Sequence, residues 1–144
     1  MYDSSISSHL CPVLKPGKIQ DLVPIILRNL NEIDNNPQTS FDAIAVCGAS
    51  GLLLAGLVSY HLNKNIILVR KDSENRHSGL SVEGPMDGYY IIFDDMISTG
   101  QTTRFIHDRI KSDLCQYSRC VGVYLWNSTK LHAPDKQTFM ENPF

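Results

Sequence analysis

The residues with the most chemistry in this chain stand together between Tyr90 and Thr103, in the run YIIFDDMISTGQTT. Apolar residues of a strand-forming type lead into two adjacent carboxylates, Asp94 and Asp95, and a Ser-Thr-Gly-Gln-Thr turn then opens a helix-forming stretch. Backbone N–H groups at a helix N-terminus, reached through a glycine and flanked by hydroxyls, form a phosphate cradle. Carboxylates beside such a cradle do not suit the phosphate itself. They suit neutral hydroxyls, whose protons they accept, or a divalent cation. A ligand that satisfies both halves has a phosphate at one end and vicinal hydroxyls beside it, as a phosphorylated ribose does. Simple capping of a strand–helix junction explains a bare acidic pair. It accounts poorly for the pair with an apolar tetrad before it and STGQT after it.

Two further clusters sit at the ends of apolar runs. Gly48-Ala49-Ser50-Gly51 separates the apolar run Phe41–Cys47 from the aliphatic run Leu52–Leu62. Arg70 and Lys71 end the run Ile66–Val69; they are either a solvated strand end or a pair that neutralises a substrate carrying several negative charges. Residues 72–88, DSENRHSGLSVEGPMDG, are polar, rich in glycine and too long for an ordinary connection. They read as a functional loop carrying Arg76 and His77, able to close as a lid, with a short strand at 80–83. Cys47 reads as a small buried hydrophobe, because no histidine lies near it in sequence. His9, His61, His107 and His132 are scattered and read as structural or surface residues. Trp126 either stacks on a base or covers the edge of a sheet.

The elements that must position these groups follow from periodicity and breakers. Asp21 is a candidate N-cap for a helix through about Asn31, with Pro24 in its first turn, where a missing N–H costs least. Asn35, Asn36 and Pro37 end that pattern. Strands are expected at Phe41–Cys47, Ile66–Val69, Tyr89–Phe93 and Val121–Trp126, and helices at Leu52–Leu62 and Thr102–Leu114. Short apolar strands alternating with helices predict an α/β fold with a mainly parallel sheet. In such sheets ligands bind at the carboxyl edge, where all three polar clusters fall.

The 144 residues fit a single domain, divided into a lead and helix over 1–40, a core over 41–126 and a tail over 127–144. A hydrophobic share of 42% excludes wholesale disorder. Thirteen basic against fifteen acidic residues leave a net charge of −2, without the basic field of a nonspecific nucleic-acid binder. No apolar run approaches the roughly 20 residues that span a bilayer, so no membrane partner is expected. The four cysteines lack CxxC spacing and read as reduced thiols. The first residues carry no basic region of the secretory kind, and a cytoplasmic location is expected.

The segment 90–102 resembles the signature of the type I phosphoribosyltransferases, which bind 5-phosphoribosyl 1-diphosphate (PRPP). The resemblance implies a three-layer α/β/α fold with a mainly parallel central sheet. It implies that Asp94 and Asp95 contact the ribose 2′- and 3′-hydroxyls, and that Ser98, Thr99, Gly100, Gln101 and Thr102 wrap the 5′-phosphate. Gly48, Ala49, Ser50 and Gly51 look like the family's short pyrophosphate loop. Ile67-Leu68-Val69-Arg70-Lys71, with Arg76-His77-Ser78-Gly79 and Val82-Glu83-Gly84, is similar to the orotate branch. Ser50 stands where that branch often has a lysine, the Arg-His pair comes about one residue late, and no full hood subdomain is visible. The implied activity is Mg²⁺-dependent transfer of phosphoribose from PRPP to a nitrogenous base, orotate-like or purine, with release of diphosphate. Lys71, Arg76, His77, Asp94 and Asp95 are then the catalytic candidates. Asp94 and Asp95 are also the metal candidates, with water allowed in between. Relatives of this kind imply a homodimer. The alternative is a noncatalytic PRPP- or nucleotide-binding regulatory module of the same fold. A dinucleotide-binding domain fits less well, since no GxGxxG follows the first strand.

Overall fold

The computed structural model describes residues 15–71, 81–85, 88–95, 100–114 and 117–132. Helix α1 (Pro16–Asn35) is followed by strand β1 (Ala43–Cys47), helix α2 (Ala49–Leu62) and strand β2 (Asn65–Val69). A two-residue strand β3 (Val82–Glu83) precedes β4 (Tyr89–Asp94). Helix α3 (Gln101–Arg109) winds on as a π-helical turn over Ile110–Leu114, and β5 (Arg119–Leu125) and β6 (Lys130–His132) complete the order. The six strands form one sheet in the order β3-β2-β1-β4-β5-β6. The inner pairs β2–β1, β1–β4 and β4–β5 are parallel, and the edge strands β3 and β6 are antiparallel to their neighbours.

The layering follows from strand alternation and handedness. Ile44 and Val46 of β1 share one buried cluster with Ile91 and Phe93 of β4, Ile26 and Leu30 of α1, and Leu54 and Val58 of α2. Ala43 and Ala45 of β1 and Tyr90 and Ile92 of β4 point the other way, into a second cluster with Ile106 of α3 and Ile110. With a side-chain period of two and both faces covered, the strands read as continuous apolar runs. The crossover β1–α2–β2 steps to one side of β1, and β4–α3–β5 steps to the other side of β4. Right-handed crossovers in opposite directions place their helices on opposite faces, α2 on one and α3 on the other. The expected three-layer fold is present.

Three expectations are corrected. Helix α1 starts at Pro16, which occupies the first turn, so Asp21 lies within the helix and does not cap it, and Pro24 is interior. The helix continues past Pro24 although that residue donates no backbone hydrogen bond, because Ile26 and Leu30 beyond it are fully buried. The segment after β5 contains β6, whose Leu131 pairs with Tyr124. Among the described residues no helix is long and apolar enough to cross a membrane.

Candidate functional site

Strand order reverses between β1 and β4, whose following segments leave in opposite directions, and a crevice opens outside their carboxyl ends. Both strands turn into helices through a glycine with positive φ. Gly48 (φ 84°) precedes α2, and Gly100 (φ 79°) precedes α3 in the left-handed conformation. A glycine at the N-cap offers no side chain to the first-turn N–H groups, an arrangement that suits an anion. The buried Thr103 hydroxyl donates instead to the Gly100 carbonyl at 2.9 Å, which fixes the turn.

Asp94 ends β4 at only 7% exposure. Its Oδ1 accepts a hydrogen bond from the Asp95 backbone N–H at 2.8 Å. Burial first, and then the neighbouring Asp95, push the Asp94 carboxyl up to about 7. The Asp94 carbonyl accepts from the Trp126 backbone N–H at 2.9 Å, which anchors the strand end to β5. The charge of Lys71 offsets the burial of this carboxylate and its neighbour only in part. Hydroxyl donors or a cation would supply what the protein leaves out. No group of three or more His, Cys, Asp or Glu residues able to hold a metal occurs among the described residues. Two carboxylates alone suit Mg²⁺, which keeps several waters and takes its other ligands from substrate phosphates.

A cleft of about 330 Å³ lies beside this turn, lined by Cys47, Lys71, Gln101, Thr102 and Phe105. Of the residues expected from the sequence, it brings Lys71 together with Gln101 and Thr102, the ends of β2 and the start of α3. Cys47 and Phe105 were not expected there. Phe105 follows Gln101 by four positions and Thr102 by three, so helical periodicity puts all three on neighbouring rows. Cys47, expected to be a small buried hydrophobe, is half-buried and forms a wall of the cleft.

Arg70 is placed differently from Lys71. Its guanidinium bonds Glu83 of β3 through Nη2 at 2.9 Å and Nε at 3.0 Å, while its backbone N–H donates to Ser81. Gly51 is buried, and a Cβ there would lie 3.2 Å from the Phe93 carbonyl and 3.3 Å from Val46. Its place in the loop is therefore to let α2 close on the sheet. Ala49 and Ser50 form the first turn of α2. Trp126 is fully buried in the α1–α2 core, which excludes it from stacking on a base; it covers the sheet, the other reading. His107 is buried and meets the Tyr90 hydroxyl at 2.6 Å through Nδ1, with its pKa lowered to about 4 by burial and then by Lys111. That contact is structural. Arg76, His77, Ser98 and Thr99 lie outside the described residues.

No protein-family model and no curated protein matches the chain. Solved structures do. A UMP synthase from Leishmania donovani superposes with a TM-score of 0.59 at 21% identity over 77% of this chain and 22% of its own. The chain thus spans about a fifth of that protein's length. An orotate phosphoribosyltransferase from Francisella tularensis gives 0.60 at 14% identity over 86% of this chain and 62% of its own. An adenine phosphoribosyltransferase from Thermoanaerobacter pseudethanolicus gives 0.54 at 19% identity over 78% and 70%. The fold of this chain is that of the type I phosphoribosyltransferases.

Proposed function

We propose that the protein is a phosphoribosyltransferase that moves 5-phosphoribose from PRPP to a nitrogenous base, orotate-like or purine, in the cytoplasm. The observation that supports this reading above others is the buried Asp94 beside Asp95, delivered by β4 to the reversal point of the sheet next to the glycine-capped start of α3. The carboxylates accept from the ribose 2′- and 3′-hydroxyls. The turn at 98–102 receives the 5′-phosphate. In the reaction the C1–O bond to diphosphate breaks, its electron pair leaves with diphosphate, and a C1–N bond to the base forms. Lys71, exposed at the cleft, stabilises the leaving charge together with the backbone of 48–51 and with Arg76 and His77 of the loop. Mg²⁺, held by Asp94 and Asp95 directly or through water, supplies further neutralisation of the diphosphate when bound. Closure of the loop excludes water from the activated sugar. A homodimer completes this reading.

The Arg70–Glu83 pair favours a second reading, a noncatalytic module that binds PRPP or a nucleotide, because one of the two strand-end cations is already engaged. Incubation with PRPP, Mg²⁺ and a panel of purine and pyrimidine bases separates the two. Base-dependent diphosphate release supports the transferase; tight binding without release supports the module. Absence of both binding and release rejects the two readings together.

A further inference from the structure

Another cavity, of about 350 Å³, lies between the carboxyl half of α1 and the β5–β6 hairpin. Its Tyr124 and Leu131 belong to the core cluster on the α1–α2 face of the sheet, whereas Cys47 and Phe105 of the cleft described above belong to the opposite face. Ile33 completes its apolar surface. Asn29 ties the two walls together, donating through Nδ2 to the Tyr124 hydroxyl at 3.1 Å and to the Thr129 carbonyl at 3.3 Å. Those bonds use both amide protons and leave the Asn29 Oδ1 as the open end. The Thr39 hydroxyl gives its proton to the Ile33 carbonyl at 2.7 Å, so it offers only lone pairs. Glu32 adds a carboxylate, and among the described residues no ion pair engages it. Asp34, the next acid on the helix, is held instead by Lys64 at 2.8 Å. Among the described residues no lysine or arginine lines the cavity.

We propose that this cavity is a second binding site, for a small organic cation: a guanidinium or ammonium group on an apolar body. Three open acceptors, on Asn29, Glu32 and Thr39, ask for a ligand rich in donors, and Glu32 asks for one that is positively charged. The donors set against them are the Tyr124 hydroxyl proton and the Asn36 amide. A guanidinium suits the carboxylate better than an ammonium, since its planar fork meets both carboxylate oxygens and keeps further N–H groups for Asn29 and Thr39. Ile33, Leu131 and the Tyr124 ring receive the hydrocarbon part. An apolar pocket with a few convergent polar groups, near the lower end of the roughly 300–1,000 Å³ usual for such sites, holds a small molecule. A phosphate is rejected, because it would meet a carboxylate and acceptor oxygens with no cation beside them. The chemistry is thus opposite to that of the phosphate turn at 98–102, and the inference stands independently of the proposed reaction.

Titration of the ¹⁵N-labelled full chain, followed by amide chemical shifts, tests this with n-butylguanidinium, n-butylammonium, n-butanol and butyrate. Butylguanidinium is expected to bind saturably in the millimolar range and to shift amides of α1 and of the β5–β6 hairpin. Butylammonium is expected to follow more weakly, butanol at least about tenfold more weakly, and butyrate not at all. Glu32→Gln should weaken butylguanidinium at least about tenfold, while Asp95→Asn in the other site leaves it unchanged. Glu32 is exposed, so its variant stays folded, as a thermal melt will show. Equal binding of butanol, full affinity in Glu32→Gln, or no saturation at tens of millimolar overturns the cation site. Shifts confined to residues 101–105 overturn it as well, since they place the cation in the first cleft. A blocked arginine peptide that binds more tightly than butylguanidinium overturns the small-molecule assignment and gives the site to a polypeptide side chain. PRPP binding is read separately, so no outcome here decides the proposed reaction.

Discussion

Two strands of this protein each pass into a helix through a glycine of positive φ, and the two junctions differ in what surrounds that glycine. At β1–α2 and at β4–α3, a buried parallel strand ends, a glycine takes positive φ, and a helix leaves with its N-terminus at the carboxyl edge of the sheet. The first turn is followed by small and aliphatic residues, with Gly51 pressed against Val46 and the Phe93 carbonyl. The second is preceded by Asp94 and Asp95 and opens on Gln101 and Thr102, which line the cleft. The two junctions therefore differ in lining, with apolar packing at the first and carboxylate and polar side chains at the second. Side-chain chemistry separates them, and so does the backbone, since Gly48 has ψ 177° and Gly100 has ψ −1°.

The variant expected to have the largest effect is Asp94→Asn, which should move stability and binding in opposite directions. The folded carboxyl titrates near 7 against an ordinary 3.8, so the folded state holds the extra proton between those values. Stability contributed by the protonated form is then full below about pH 4 and lost as pH rises through 7. Asp94→Asn removes that loss. Chemical denaturation should show it more stable than wild type by about 1–3 kcal/mol at pH 8 and no more stable at pH 4. Titration with PRPP and Mg²⁺ should show its affinity reduced about 10- to 150-fold, with Asp95→Asn reduced similarly. Normal binding by both variants would falsify the ribose assignment.

Gly51→Val sharpens the scaffold side. Overpacking between the helix and two strands should cost about 1–3 kcal/mol in a denaturant melt. Gly100→Val acts on the other side: it strains a left-handed backbone by roughly 1–2 kcal/mol, and its side chain obstructs the phosphate. Ribose 5-phosphate should raise the melting temperature of wild type and fail to raise that of Gly100→Val. Equal protection of both proteins breaks the contrast between the turns. The smallest effect is expected for Glu83→Gln. The Arg70–Glu83 pair is about 30% exposed on each side, so its loss should change stability by less than about 1 kcal/mol. The variant also frees Arg70. If Arg70 can reach diphosphate, the variant should bind inorganic diphosphate more tightly; unchanged affinity assigns Arg70 to the β2–β3 stem alone.

What was legible in the sequence was local. Asp94-Asp95, the glycines at 48 and 100 and the alternation of apolar strands with helices are short-range patterns set by backbone geometry and side-chain period, and all recur in the structure. Contacts between distant segments were not legible. Arg70 meets Glu83 because β3 folds back antiparallel with Leu68 opposite Glu83, a register that no propensity encodes. Strand β6 is only three residues long and exists because β5 offers it an edge. Trp126 read equally as a stacking surface or a cover, and only the packing of α1 and α2 over it decided the matter. Residue types and spacing thus determined which groups stand at the carboxyl edge of the strands. Tertiary structure decided which of them are buried, paired or open, because burial and ion pairing depend on what the fold brings against a side chain.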